Sequence, residues 1–202
     1  PHDPGLTLIG KTKAAQVPGA LDDQSVTALY ASPMRRALQT AEPIGILFDL
    51  PTLVRPDLCE TSRREWNMPE RVGKGNKSGL SMLEVKQDFP KTVLPDTLGK
   101  DEPWWEMLDG EGRYQAYARA ERALDSLKEA HTGVDETIVV VTHGAFGSVL
   151  MSSALGSPPT DYNRYSQFNC GISLICITPE DTRMRFLNSA EHLASALRSD
   201  LT

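Results

Sequence analysis

Along the chain, short apolar runs alternate with stretches whose apolar residues recur every three to four positions, the pattern of strands interleaved with amphipathic helices. VTALYA at 26–31 predicts a buried strand, TIVVVT at 137–142 a second, GISLICIT at 171–178 and RMRFL at 183–187 a pair, and 52–55 a shorter one. Ser32-Pro33 couples an N-cap hydroxyl to a proline at the first helical position, so a helix with Ala37, Ala41 and Ile44 on its apolar face is expected there. Pro43 is expected to kink or end it. Ser81-Met82-Leu83-Glu84 has capping-box spacing and predicts a short helix towards Phe89. Tyr117, Ala120, Leu124 and Leu127 share one helical face, which predicts a long helix over 112–130; another is expected over 145–155. Such alternation specifies an α/β layer fold.

Between Glu60 and Gly110 prolines and glycines abound and a single helix is signalled, so an insertion at about 61–110 is expected to arch over the sheet's edge. With 202 residues, 40% of them hydrophobic, the chain suits one domain spanning 1–202. The net charge of -6, without a long Lys/Arg run, argues against a nucleic-acid partner. The apolar runs fall far short of the roughly 20 residues of a membrane-spanning helix, so no membrane is expected. Cys59, Cys170 and Cys176 lack metal or disulfide spacing and are expected to be buried, inert thiols, which fits a cytoplasmic setting. The chain starts at Pro1 rather than Met, so its true N-terminus is expected upstream, and oligomeric state is not legible.

Three residues stand where chemistry is expected. His143 follows the 137–142 strand directly, Gly144 allows close backbone approach, and the next helix begins there with an N-terminus that favours anions. Arg36 lies near the start of a helix that also follows a strand, where a guanidinium fork can hold phosphate oxygens; Arg35 points about 100° away around the helix. Glu60 opens the long insertion, and a carboxyl there can protonate a departing alcohol. Each has a plainer reading: a loop histidine, a salt-bridged arginine, a surface carboxylate.

Together, Asp3 to Gly10 (DPGLTLIG), Ala31 to Ala41 (ASPMRRALQTA), Leu58-Cys59-Glu60, Val141-Thr142-His143-Gly144 and the tail NSAEHL from Asn188 resemble the histidine phosphatase superfamily, the phosphoglycerate-mutase-like phosphatases, over nearly the whole chain. The resemblance implies a three-layer sandwich with a mostly parallel central sheet flanked by helices. It implies a phosphomonoester hydrolase that works through a phosphohistidine, without metal or cofactor, on a small phosphorylated substrate. Arg36, His143 and Gly144 are implied to bind phosphate, and Glu60 to be the acid; Arg36, His143 and Glu60 form the implied catalytic set.

The family's nucleophile sits in an Arg-His-Gly segment ending a strand before the stretch that here starts at Asp3, and that segment is not in this chain. His2 lacks the motif around it and reads as a loop residue, His131 as a solvated helix cap, and His192 as structural. Since the missing strand would be interior to the sheet, three explanations are open: the chain is part of a longer protein, another chain supplies the strand, or a relative has lost it and repacked. The first is the leading expectation, with a nucleophile upstream of Pro1. The alternative is a non-catalytic phospho-ligand-binding relative. A phosphoglycerate-type mutase is less favoured, because the extra substrate contacts it needs are not identifiable. Arg63 and Arg64 read as substrate contacts or surface charges, and Trp66, Trp104 and Trp105 as buried packing or a pocket wall.

Overall fold

The computed structural model describes residues 3–61, 79–96, 111–132, 135–160 and 164–198. Strands β1 (Val26–Ala31), β2 (Thr52–Val54), β3 (Thr92–Val93) and β4 (Thr137–Val141) form a parallel sheet in the order β3-β2-β1-β4. β5 (Ile172–Ile177) and β6 (Thr182–Ser189) pair antiparallel as a second sheet. The helices are α1 (Leu8–Ala14), α2 (Arg35–Phe48), α3 (Met82–Asp88), α4 (Arg113–Ala130) and α5 (Gly144–Ala154).

The layering follows from the two-residue period of β1. Leu29 and Ala31 point to one core, shared with Leu38, Ala41 and Ile44 of α2 and Val85 of α3. Ala28 and Tyr30 point to the other, shared with Ala120, Ala123 and Leu127 of α4 and Phe146 and Val149 of α5. Helices therefore cover both faces of a parallel sheet, the α/β sandwich expected.

Several boundaries differ from the sequence expectations. α2 starts at Arg35, after Ser32-Pro33, and it runs through Pro43 to Phe48. A proline in mid-helix costs about 3 kcal/mol; here Ala41, Ile44 and Gly45 flank it and are buried, and burying an aliphatic side chain such as Ile44 returns about 1.5–3 kcal/mol. The helix ends where Asp49 adopts a left-handed conformation (φ 51°) and its N–H bonds Gly45 O. A Cβ on Gly45 would lie 2.9 Å from Leu50 O, so the turn into β2 closes too tightly for a side chain. Ser81 and Glu84 do form the capping box of α3. α4 buries Ala116, Arg119, Ala120, Ala123, Leu124 and Leu127, a face that includes an arginine and leaves Tyr117 half-buried. Within the span expected as an insertion, β3 joins the sheet beside β2.

One rim is less covered than its composition suggests. Four of the five residues of β4 are Ile or Val, yet all are only half-buried. Among the described residues no strand pairs with the edge of β4 opposite β1. Among the described residues β5 pairs with β6 alone, and it is likewise half-buried from Ile172 to Cys176. Val139 and Val141 of β4 and Ile172 of β5 nonetheless pack against the same core.

Candidate active site

Ala31 of β1 registers with Val54 of β2 and Val141 of β4, so three strands end level at their carboxyl side. From β1 the chain steps through α2 to β2, and β3 lies beyond it; β4, reached from α4, lies on the other side of β1. At such a reversal the connecting loops diverge and leave a crevice in which ligands bind. Ser32 follows β1 into it, and Thr142 and His143 follow β4.

His143 is the N-cap residue of α5, but its ring makes no cap hydrogen bond. Its Nε2 lies 2.8 Å from Ser32 Oγ. Ser32 Oγ accepts from Met34 N at 3.3 Å and donates to Cys59 Sγ at 3.7 Å, which leaves the imidazole as the donor through Nε2–H. His143 is 8% exposed. Burial first, then the charges of Arg36 and Arg119, hold its pKa well below the usual histidine value, so the ring is neutral. Gly144 opens α5; a Cβ there would meet only Gln167 O at 3.8 Å, so packing within the chain does not demand glycine.

Arg36 is the second residue of α2. The helix is capped from afar: the Asp3 carboxylate accepts from Arg35 N with both oxygens at 3.0 Å, taking the role expected of Ser32. Asp3 also lies 3.8 Å from Arg36 Nη1. Its pKa is nevertheless raised, because burial outweighs these partners. Arg35 turns away and bonds Asp88 at 2.8 Å.

Glu60 stands against the amino end of α5, where its Oε1 accepts from Phe146 N and Thr61 N, each at 3.0 Å. The three residues before it are held by their carbonyls: Arg119 Nη1 donates to Asp57 O (2.7 Å) and Cys59 O (2.9 Å), and Thr142 Oγ1 donates to Leu58 O (2.7 Å). The other edge of the Arg119 fork is bidentate on Glu111, with both contacts at 2.7 Å, and its guanidinium stacks 3.8 Å from the centroid of Phe146. Sequence reasoning missed Asp3, Arg119 and Glu111. One signal was present: an arginine among alanines on the buried stripe of an amphipathic helix requires a partner.

The structure brings Arg36, His143 and Glu60 to this one end of the sheet. His131 is the C-cap residue of α4, as expected, but it is half-buried: its Nδ1 lies 2.7 Å from Glu136 Oε2 and its Nε2 2.8 Å from Tyr30 Oη. Cys59 is buried, whereas Cys170 and Cys176 are only half-buried, because β5 and its approach lie at an open rim. Burial pushes the Cys59 thiol above its ordinary range. Among the described residues no group of three or more His, Cys, Asp or Glu side chains could hold a metal, and no helix is long and apolar enough to cross a membrane. His2, Arg63, Arg64, Trp66, Trp104 and Trp105 lie outside the described residues.

Known proteins resemble this chain over most of its length. A probable phosphoglycerate mutase GpmB of Yersinia enterocolitica is 28% identical over 173 residues, covering 86% of this chain and 74% of its own. Glucosyl-3-phosphoglycerate phosphatase of Mycolicibacterium vanbaalenii is 27% identical over 164 residues, covering 77% and 65%. Among solved structures, a mutant phosphoserine phosphatase of Entamoeba histolytica in complex with phosphoserine shares the fold, with a TM-score of 0.66 at 22% identity over 95% of this chain and 88% of that one. The family model for the histidine phosphatase superfamily (branch 1) matches residues 1–190. The chain therefore belongs to the histidine phosphatase superfamily.

Proposed function

We propose that the chain carries the phosphate-binding and proton-transfer side of a metal-independent phosphomonoester hydrolase, whose nucleophile is a histidine on a strand upstream of Pro1. The observation that carries the reading is a buried, neutral His143 that feels two arginines at the switch point of a parallel sheet. Phosphoryl transfer depends mainly on positioning and on charge stabilisation around the equatorial oxygens. Arg36 supplies a fixed positive charge, and His143 a donor in Nε2–H that exchanges Ser32 Oγ for a phosphoryl oxygen. The edge of β4 that no strand pairs among the described residues, with its half-buried Ile and Val residues, supports a further parallel strand at that rim.

In the first step a nitrogen–phosphorus bond forms at the nucleophile as the ester P–O bond breaks. The departing oxygen takes the proton of Glu60 and leaves as the alcohol. With Oε1 engaged by two backbone N–H groups, the acid form carries its proton on Oε2. In the second step the Glu60 carboxylate takes a proton from water, the water oxygen bonds phosphorus, the nitrogen–phosphorus bond breaks, and phosphate departs. The substrate class is a small phosphomonoester, and hydrolysis is favoured over mutase chemistry.

The test is phosphate release from p-nitrophenyl phosphate by the full-length protein, together with trapping of an acid-labile phosphoenzyme. Turnover is expected to persist with chelator and to be lost in His143→Ala and Arg36→Ala. Loss of activity on chelation, or undiminished activity in both variants, overturns the proposal. Phosphate binding without turnover or phosphoenzyme replaces it with a non-catalytic phosphate-binding role.

A further inference from the structure

We infer that Arg119 and Glu111 are positioning residues that aim the Glu60 carboxyl at the leaving group. The inference rests on the reading of Glu60 as the acid proposed above. The contacts close a ring: Arg119 binds the Cys59 carbonyl, the next residue is Glu60, its Oε1 binds Phe146 N, and the Phe146 ring lies beneath the Arg119 guanidinium. One rigid planar group thus controls both the backbone that carries Glu60 and the residue that receives its Oε1. With Thr142 on Leu58 O, three successive carbonyls are tied down immediately before the carboxyl.

Glu111 has a distinct part in this. An arginine 6% exposed on the buried face of α4 costs free energy unless it is paired, and the bidentate carboxylate neutralises the charge and fixes the plane of the fork. With that plane fixed, Nη1 faces the 57–59 carbonyls and cannot rotate towards solvent. Neither residue forms or breaks a bond in the reaction. Their effect lies in where Oε2 stands, and displacement of a catalytic group by about 1 Å costs roughly a hundredfold in rate.

Proton delivery can be separated from mere folding by the choice of leaving group. An alkyl phosphate cannot expel its alkoxide without a proton, whereas 2,4-dinitrophenyl phosphate releases a stable anion. The ratio of the two kcat/KM values within one sample cancels the fraction of protein folded. In the full-length enzyme, Glu60→Gln is expected to lose about 10²–10⁴-fold on the alkyl ester and little on the aryl ester. Glu111→Gln and Arg119→Lys, which keep the shape and the positive charge respectively, are expected to show the same selectivity with losses of about tenfold or more on the alkyl ester. If Glu60→Gln is selective and both other variants slow the two substrates equally, the positioning inference is overturned. If Glu60→Gln is itself unselective, the reading of Glu60 as the acid fails instead.

Discussion

Replacing His143 with Asn tests whether the site holds a neutral imidazole, through the pH dependence of folding. In the unfolded chain the ring titrates near about 6.5, and in the folded protein burial, Arg36 and Arg119 hold it well below. Below the unfolded value the unfolded state therefore binds more protons than the native one, so stability rises with pH. This contribution is fully present above about pH 6.5 and is lost as the pH falls towards the folded pKa. For one proton the limiting slope is about 1.4 kcal/mol per pH unit, and the loss between pH 7.5 and 5 is at most about 2 kcal/mol. Urea unfolding across that range gives the curve for each protein. His192, also depressed by burial, and Asp3, raised by burial, titrate in both proteins and cancel in the difference. The wild type is expected to lose stability towards acid more steeply than His143→Asn, and inorganic phosphate is expected to shrink the gap by placing negative charge beside the ring. Parallel curves for the two proteins would refute the neutral, charge-surrounded histidine.

Three further outcomes follow from the geometry. Asp3→Ala removes the distant cap of α2; urea unfolding should show a loss of about 1 kcal/mol in stability, and an unchanged midpoint would contradict the cap. Gly45→Ala places a methyl 2.9 Å from Leu50 O and should destabilise by about 1–3 kcal/mol, read as a lower melting temperature; an unchanged melt would contradict the tight closure after α2. Ser81→Ala removes the hydroxyl that accepts from Glu84 N in the α3 capping box, while the residue-81 N–H can still donate to Glu84, and should cost about 1 kcal/mol in urea unfolding.

What the sequence made legible was whatever short-range periodicity encodes. β1 matched its expected span, and β4, α4 and α5 moved by a residue or so, because an apolar run or stripe marks them. α1 went unseen: it is seven residues long, and Leu8 and Ile9 point to solvent, so it has no apolar face to read. β3, with two residues, is too short for any pattern. In the site, Arg36, His143 and Glu60 were named because each follows a strand end in a recognisable motif. The residues around them were not, since their partners are remote: Asp3 caps a helix 32 residues away, and Arg119 binds a carbonyl 60 residues away. Ser32 illustrates the converse, with a sound local cap signature but a hydroxyl spent on His143.

The burial of Cys59 gives the site a built-in clock. Its thiol adjoins Glu60 in the chain, lies wholly within the core, and is held in its protonated, unreactive form. An alkylating reagent or an oxidant can reach it only when the segment carrying Glu60 opens. The labelling rate of Cys59 in the native protein therefore reports how readily that segment opens, without an engineered residue. Oxidants that silence thiol-dependent enzymes meet here a sulfur that the folded protein keeps out of reach.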